Sequence, residues 1–342
     1  MRWVSEQRPG AGRRQRGVAL IMVLLAMALI VMMATGMIRQ QNLRIYKASH
    51  AMAQNQGFAI ALGSEDFAKS MLRRDYDQDK EDNSFVDDTS EFWFTNSAIL
   101  PLDEESGLVE VQIEDMSGRF NLNDLVDSQS GAVDEVAKKR FDKLLQILGV
   151  TDFRTDAIID WIDENDQTTS AYGAEDGAYL VEDPPYRAAN QPFMSVSELR
   201  LLQGMTEETY QALLPFITAL PVSGAGINVN TAPKELIESM TDDMTSSQAE
   251  KLVAKRDEEP YEEVADFLAE DELAGSGISA KGVMVRSRFF EVLSRITYDN
   301  RTVNLSSLIY RSFDGSMKTV NRDRGETILI TKPPFNVTEQ EG

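Results

Sequence analysis

The sequence predicts an α+β fold: a long N-terminal helix packed on a small antiparallel sheet, with a large all-helical domain inserted into it. Three observations carry the prediction. An uncharged run from Val18 to Ile38 leads into a proline-free segment that keeps apolar residues at helical spacing to about residue 73. Alternating Leu108, Val109, Val111 and Ile113 signal a strand, and strand patterns return at “RFFEVLSRITY” and “TVNLSSLIYRS”. Between these two β stretches the signals are helical. A lone two-stranded hairpin is marginally stable, so the two stretches need each other. The implied organisation is a basic leader at 1–17, a membrane-spanning helix at 18–38 and a first part of the sheet domain at 39–120. A helical insert follows at 121–285, then the second part of the sheet domain at 286–325 and a tail at 326–342.

The first element opens with Arg2, Arg8, Arg13, Arg14 and Arg16, followed by 21 residues without charge. As a helix that run is roughly 31 Å long, enough to cross a bilayer core. A secretory signal has an apolar region of only about 7–15 residues, and no A-x-A site follows here. The basic flank keeps the N-terminus in the cytoplasm and sends the rest of the chain outside. Gly17 stands between the last arginine and the first apolar residue, so a cut after it removes the charges and keeps the helix. An uncleaved anchor explains the hydropathy equally well. The fifth residue after Gly17 is Met22.

Past the membrane, “NLRIYKASHAMAQNQGFAIALGSEDFAKSML” sets Leu43, Tyr46, Ala53, Phe58, Leu62 and Phe67 on one broad face, giving a single helix over 18–73. Residues 75–92 are acidic and turn-rich and read as a loop. Ser117-Gly118 is a turn before the insert. Inside the insert, “GINVNTAPKELIESM” is a helix start with Thr231 as N-cap, Pro233 in the first turn and Glu235 after it. With “SSQAEKLVAKRDEEPYEEVADFL” it resembles a helix-hairpin-helix unit. The hairpin “TDDMTSS” is acidic and lacks glycine, so it would repel phosphate, and the unit reads as structural or protein-binding. “GRFNLNDL” at 118–125, leading to “AIIDWID”, is a weak sign of an internal duplication. Asp299-Asn300 is a turn between the late strands, and “MKTVNRD” is a short last strand.

The chain has 342 residues, about two domains by length. The formal net charge is −22; the leader to Gly17 carries five arginines and Glu6, so the remainder carries −26. That balance argues against nucleic-acid binding, which needs a basic footprint, and favours cations as partners. There is no cysteine and one histidine, His50. Disulfides, thiol catalysis and a zinc cluster are excluded, as is a serine–histidine triad in the core.

The densest carboxylate cluster is “DWIDENDQTTSAYGAEDGAYLVEDPPYRAANQPFMSVSEL”, residues 160–199. Few Lys or Arg neutralise it. Hard cations such as Ca²⁺ take six to eight oxygen ligands from carboxylates, carbonyls and water, and a loop folded around calcium explains the composition. A solvated acidic loop explains it too. The string lacks EF-hand spacing. A carboxylate pair for glycoside hydrolysis is the weakest reading, because nothing marks a pocket or a raised acid.

Arginine-glycine before an apolar helix resembles the class III signal of type IV pilins and type II secretion pseudopilins. Together with “SGRFNLN”, “AIIDWIDENDQ”, “YGAEDGAYL”, “PYRAANQPFMSVSELRLLQGM” and “INVNTAPKELI”, in that order, the chain resembles the type II secretion system protein K family, the large minor pseudopilins. The resemblance implies a pilin-like domain interrupted by a helical one. It implies cleavage between Gly17 and Val18 by prepilin peptidase and N-methylation of Val18. It implies a single-pass protein of the bacterial inner membrane, with the C-terminal domain in the periplasm. It also implies a tip cap made with the I and J minor pseudopilins, for export of folded proteins across the outer membrane. Calcium in the helical domain is implied as well, with Asp163, Asp166, Glu175, Asp176 and Glu182 as the ligands to expect. No catalytic residue and no nucleic-acid partner are expected. Most pseudopilins carry a glutamate where this chain has Met22. A buried glutamate can pair with the terminal amine of the subunit above; a tip subunit has none above, and an unpaired buried carboxylate costs several kcal/mol. The other class of function open to the sequence is a membrane-anchored periplasmic enzyme or adhesin with an acidic cation-binding loop.

Overall fold

The computed structural model describes residues 16–103, 107–298, 301–325 and 327–335. Residues 1–15 of the expected leader at 1–17, and the expected turn at Asp299-Asn300, lie outside them. The chain divides into a unit up to Gln56 and a unit from Gly57 onward. The first helix, α1 (Arg16–Asp82), runs through both. In the first unit its apolar side chains are exposed, among them Met22, Ile30 and Met33. This helix is long and apolar enough to cross a membrane, with a mean hydropathy of 2.8 over its most apolar window.

In the second unit α1 buries a stripe of mostly small residues: Gly57, Ala61, Ser64, Ala68, Leu72 and Tyr76. Steps of three and four residues keep them on one face. At Gly57 a Cβ would lie 2.6 Å from Val303 Cγ2, so glycine lets the helix approach the sheet. The stripe corrects the expected face. Phe58, Leu62 and Phe67 sit half-buried at its margins, and Leu43 and Tyr46 are exposed. The close approach at Gly57 leaves no room for a large side chain there, whereas Leu72 and Tyr76 are accommodated further along the stripe. Glu65 is also buried in the stripe. Burial works against its charge, but Arg322 at 2.6 Å, Lys69 at 2.6 Å and Thr319 and Ser307 hold it down to about 2.

The helix ends at Asp82, not near 73, and so takes in half of the expected acidic loop. Tyr76 turns inward, and Arg73 pairs with Asp77 at 3.1 Å one turn on. Asn83, at φ 57, supplies the left-handed residue that stops it.

The elements that follow are α2 (Phe92–Thr95), β1 (Ser97–Asp103) and β2 (Gly107–Asp115). The insert holds β3 (Phe120–Asn121), α3 (Glu135–Ile147), α4 (Thr155–Ile162), α5 (Asp176–Tyr179), α6 (Glu207–Leu213), β4 (Ile217–Thr218), β5 (Ile227–Asn228), α7 (Lys234–Glu238), α8 (Ser246–Glu258), α9 (Val264–Leu268) and β6 (Val283–Met284). The chain then returns as β7 (Phe289–Tyr298), β8 (Arg301–Arg311) and β9 (Met317–Asp323).

β1, β2, β7, β8 and β9 form one antiparallel sheet in that order. β2 and β7 are the seam across the insert, with Val109 opposite Ile296 and Ile113 opposite Val292. Val111, Ile113, Phe290, Val292, Ile296 and Ile309 pack with α1. β1 had no strand signal in the sequence. It carries Pro101, which a sheet edge tolerates. The insert adds two minimal parallel pairs to its helices, β3 with β4 and β5 with β6.

At the root of the insert Asp115 accepts hydrogen bonds from Ser117 N at 2.8 Å, Ser287 Oγ at 2.6 Å and Thr231 Oγ1 at 2.5 Å. Burial raises it to about 6. This corrects the expected role of Thr231: its hydroxyl is spent on Asp115, and the N-cap of α7 is Pro233.

The two N-x-N strings play matching parts. Asn123 N donates to Asn121 Oδ1, and Asn230 N donates to Asn228 Oδ1. Asn123 then grips both backbone groups of Phe193, through Nδ2 at 3.0 Å and Oδ1 at 2.8 Å. Asn230 grips Tyr261 in the same way, at 2.9 and 3.0 Å. Each gripped residue follows a proline, Pro192 and Pro260. The duplication that “GRFNLN” and “GINVN” hint at therefore exists as repeated hydrogen bonding.

Candidate cation site in the helical insert

The acidic loop leaves α4 and returns at α5. α4 is buried along its whole length, so its last turn carries Asp160 into the interior. Asp163 caps the helix end, its N–H donating to Ile159 O at 2.9 Å. The loop folds back so that Asp160 Oδ1 accepts from Thr169 N at 2.8 Å. Gly173 then passes directly over Asp160: a Cβ there would lie 1.9 Å from Oδ2. No side chain fits at 173.

Glu175 arrives next, buried, with neither carboxylate oxygen hydrogen-bonded; Asp160 Oδ2 is likewise buried without a partner. Such orphaned oxygens cost free energy unless something compensates them. Burial, then the charges of Asp160, Asp163, Asp166 and Asp176, push Glu175 up to about 7. Burial also raises Asp163, and Asp160 adds to it.

Of the five expected ligands, Asp163 and the exposed Asp166 are close enough for their charges to act on the buried Glu175, but no trio of ligand oxygens in this loop lies within 4.8 Å of one another among the described residues. Asp176 turns away to Arg187 Nη1 at 2.7 Å and Ala188 N at 3.1 Å. Glu182 is exposed beyond α5. Asp160 was missing from that set. Its spacing of three from Asp163 on one helix face was the available signal.

A second acidic group lies in the 75–92 stretch, which the sequence marks only as an acidic loop. Among the described residues, the one set of three carboxylates with oxygens within 4.8 Å of one another is Asp75, Asp87 and Glu91, in the sheet domain. Arg311 already sits there, paired with Asp75 at 3.1 Å and with Asp87.

At the N-terminal end of α1, Gly17 and Val18 lie in the first helical turn and Val18 is exposed.

Comparison with known proteins agrees with this architecture. Two family models described as type II secretion system protein K match residues 118–222 and 227–285. The chain is 38% identical over 319 residues to type II secretion system protein K of Pseudomonas aeruginosa, covering 92% of this chain and 94% of that one. It is 29% identical to the protein of that name from Aeromonas hydrophila, covering 92% and 98%. A chain in the crystal structure of the GspK-GspI-GspJ complex from enterotoxigenic Escherichia coli superposes with a TM-score of 0.72 at 26% identity, covering 82% of this chain and all of that one. The long helix, the interrupted antiparallel sheet and the helical insert are thus those of a pseudopilin, and the chain belongs to the type II secretion system protein K family.

Proposed function

We propose that this chain caps the tip of the type II secretion pseudopilus, assembled with I-type and J-type minor pseudopilins, during export of folded proteins across the outer membrane. The observation that carries the reading is the likeness to a protein solved in complex with GspI and GspJ. Met22 supports it, because a tip subunit has no neighbour above to pair with a glutamate.

In this reading prepilin peptidase cuts between Gly17 and Val18, and Val18 is then N-methylated. Val18–Ile38 spans the inner membrane once, and the remainder lies in the periplasm. The role is structural, without catalysis. Association within lipid has little hydrophobic drive, so recognition falls to the periplasmic part of α1, where Leu43 and Tyr46 are exposed.

The orphaned oxygens of Glu175 and Asp160 fit a hard cation. Asp160, Asp163 and Glu175 would hold Ca²⁺, with Asp166 adding charge nearby. When bound, the ion supplies the positive charge that these buried carboxylates lack. The protein's own contribution is to fold the loop over α4 through Thr169 N and the bare backbone of Gly173.

The test is co-reconstitution of the full-length protein with both neighbours, beside a Leu43→Glu/Tyr46→Glu variant. A three-protein complex lost in the variant supports the reading. A protein that ignores both neighbours, or a variant that assembles equally well, removes it.

A further inference from the structure

A cavity of about 350 Å³ opens where the 221–225 loop of the insert meets β7, β8 and β9. Pro221, Val222, Gly224 and Ala225 form one wall; Phe289, Tyr310 and Val320 form the other. Arg288 is the one charged side chain among the described residues that line it. In a chain with 34 basic against 56 acidic residues, a lining with a cation and no carboxylate runs against the charge of the whole.

The Arg288 guanidinium is held but not neutralised. Its carbon lies 4.7 Å from the centre of the Phe313 ring and 4.9 Å from that of Tyr310, and its Nη2 donates to the Tyr310 hydroxyl. Aromatic faces attract a cation but do not replace a carboxylate partner. Nε is buried without an acceptor. The carboxylates of the surrounding segments are spent elsewhere. Asp124 accepts from Ala225 N at 3.2 Å and Gly226 N at 3.4 Å, Asp314 accepts from Ser316 N at 2.9 Å, and Asp79 feels the charge of Arg286.

Two further donors belong to the same face. Tyr310, whose oxygen accepts from Arg288, keeps its own O–H to give. Lys318 is exposed and lies directly across from Tyr310 in the β8–β9 register, where opposite residues share a face of the sheet. The rim is apolar: Phe313 is 65% exposed, and Val222 and Val320 are exposed as well. A free anion such as phosphate would leave that rim in water. A carboxylate flanked by apolar residues on one chain segment covers both the cation and the rim.

We propose that this cavity is a docking site for an acidic segment of a partner protein. An aspartate or glutamate carboxylate takes the N–H groups of Arg288 that Tyr310 leaves free, together with the Tyr310 O–H, and Lys318 adds charge beside them. Hydrogen bonds to ionised groups are about twice as strong as neutral ones. Phe313 and Tyr310 fix the guanidinium before the segment arrives, so less side-chain freedom is lost on binding. The apolar neighbours of the carboxylate cover Phe313, Val222 and Val320. The site goes beyond the tip reading, which uses the exposed face of α1. Its test reads binding by this chain alone, so either reading can fail without the other.

The test uses the full-length protein in detergent and two blocked peptides that differ by one charge, Ser-Leu-Glu-Val-Ser and Ser-Leu-Gln-Val-Ser. Binding is followed by calorimetry. The glutamate peptide should bind, less tightly as salt rises, and the glutamine peptide should bind about tenfold more weakly or worse. Arg288→Gln should weaken the glutamate peptide about tenfold or more, and Tyr310→Phe about threefold or more. Lys318→Gln, at the surface, should weaken it about twofold to threefold. Lys251→Gln removes an exposed cation of α8 that pairs with Glu272, and should leave the affinity unchanged. Inorganic phosphate at the same concentration should not displace the peptide. Melting curves establish that each variant folds; should Arg288→Gln fail to fold, Tyr310→Phe and Lys318→Gln decide the matter. No binding of the glutamate peptide, equal binding of the glutamine peptide, or indifference to the site variants overturns the proposal. So does full displacement by phosphate, which marks an adventitious ion only.

Discussion

Replacing Glu175 by glutamine should have opposite effects with and without calcium. In the folded protein Glu175 titrates near 7, against 4.5 for the free side chain, because it is buried among other carboxylates. As pH rises, the unfolded chain gives up this proton first. The stabilisation from holding it is complete below pH 4.5 and is lost as pH climbs through 7. That gap is worth at most about 3 kcal/mol, and solvent screening at a loop reduces it to about 1–2 kcal/mol. In chelator at pH 8, Glu175→Gln should therefore be more stable than the wild type by about 1–2 kcal/mol, or about 2–6 °C in melting temperature. At pH 4 the advantage should disappear. Calcium at about a hundredfold excess over its Kd should stabilise the wild type by about 2.7 kcal/mol, and the variant, short of one anionic ligand, by much less. The order of the two proteins thus inverts when calcium is added. Calorimetric melting of both, in chelator and in calcium, measures this directly. A variant that melts below the wild type in chelator at pH 8, or that keeps the full calcium response, refutes the assignment of Glu175 as an unpaired buried ligand.

Gly173→Ala forces a Cβ into Asp160 Oδ2 and should cost about 1–3 kcal/mol, read by thermal melting. Arg311→Met removes the cation paired with half-buried Asp75 and buried Asp87 and should cost about 3–5 kcal/mol, read by denaturant titration. Asn123→Ala and Asn230→Ala each strip a bidentate grip from buried backbone and should each cost about 1–3 kcal/mol; a loss at only one site would contradict the matched roles of the two. Gly17→Val should leave the leader attached, and N-terminal sequencing that finds Met1 or Arg2 on the wild type would remove the processing step.

The sequence alone determined the long apolar N-terminal helix, the split of the sheet by the insert and the position of the acidic loop. Each of these is written in local pattern: an uncharged run of fixed length, apolar alternation and charge density. Apolar alternation at Leu108 to Ile113 sufficed for β2 because that strand buries one face. It failed for β1, an edge strand whose Pro101 and exposed Ile99 weaken the pattern. The end of α1 was hidden for a related reason. An acidic stretch reads as loop until Tyr76 finds the tip of the β8–β9 hairpin and Arg311 finds Asp75, and both contacts span over 230 positions in sequence. Small residues on the buried stripe of α1 also escape a search for large apolar ones. Within the acidic loop, composition could count carboxylates but not say which are buried. Glu175 and Asp176 are neighbours in sequence, yet one is left without a partner and the other is neutralised by Arg187. That difference comes from the direction in which the chain turns into α5. Burial and pairing depend on residues distant in sequence, and only the tertiary structure brings those together.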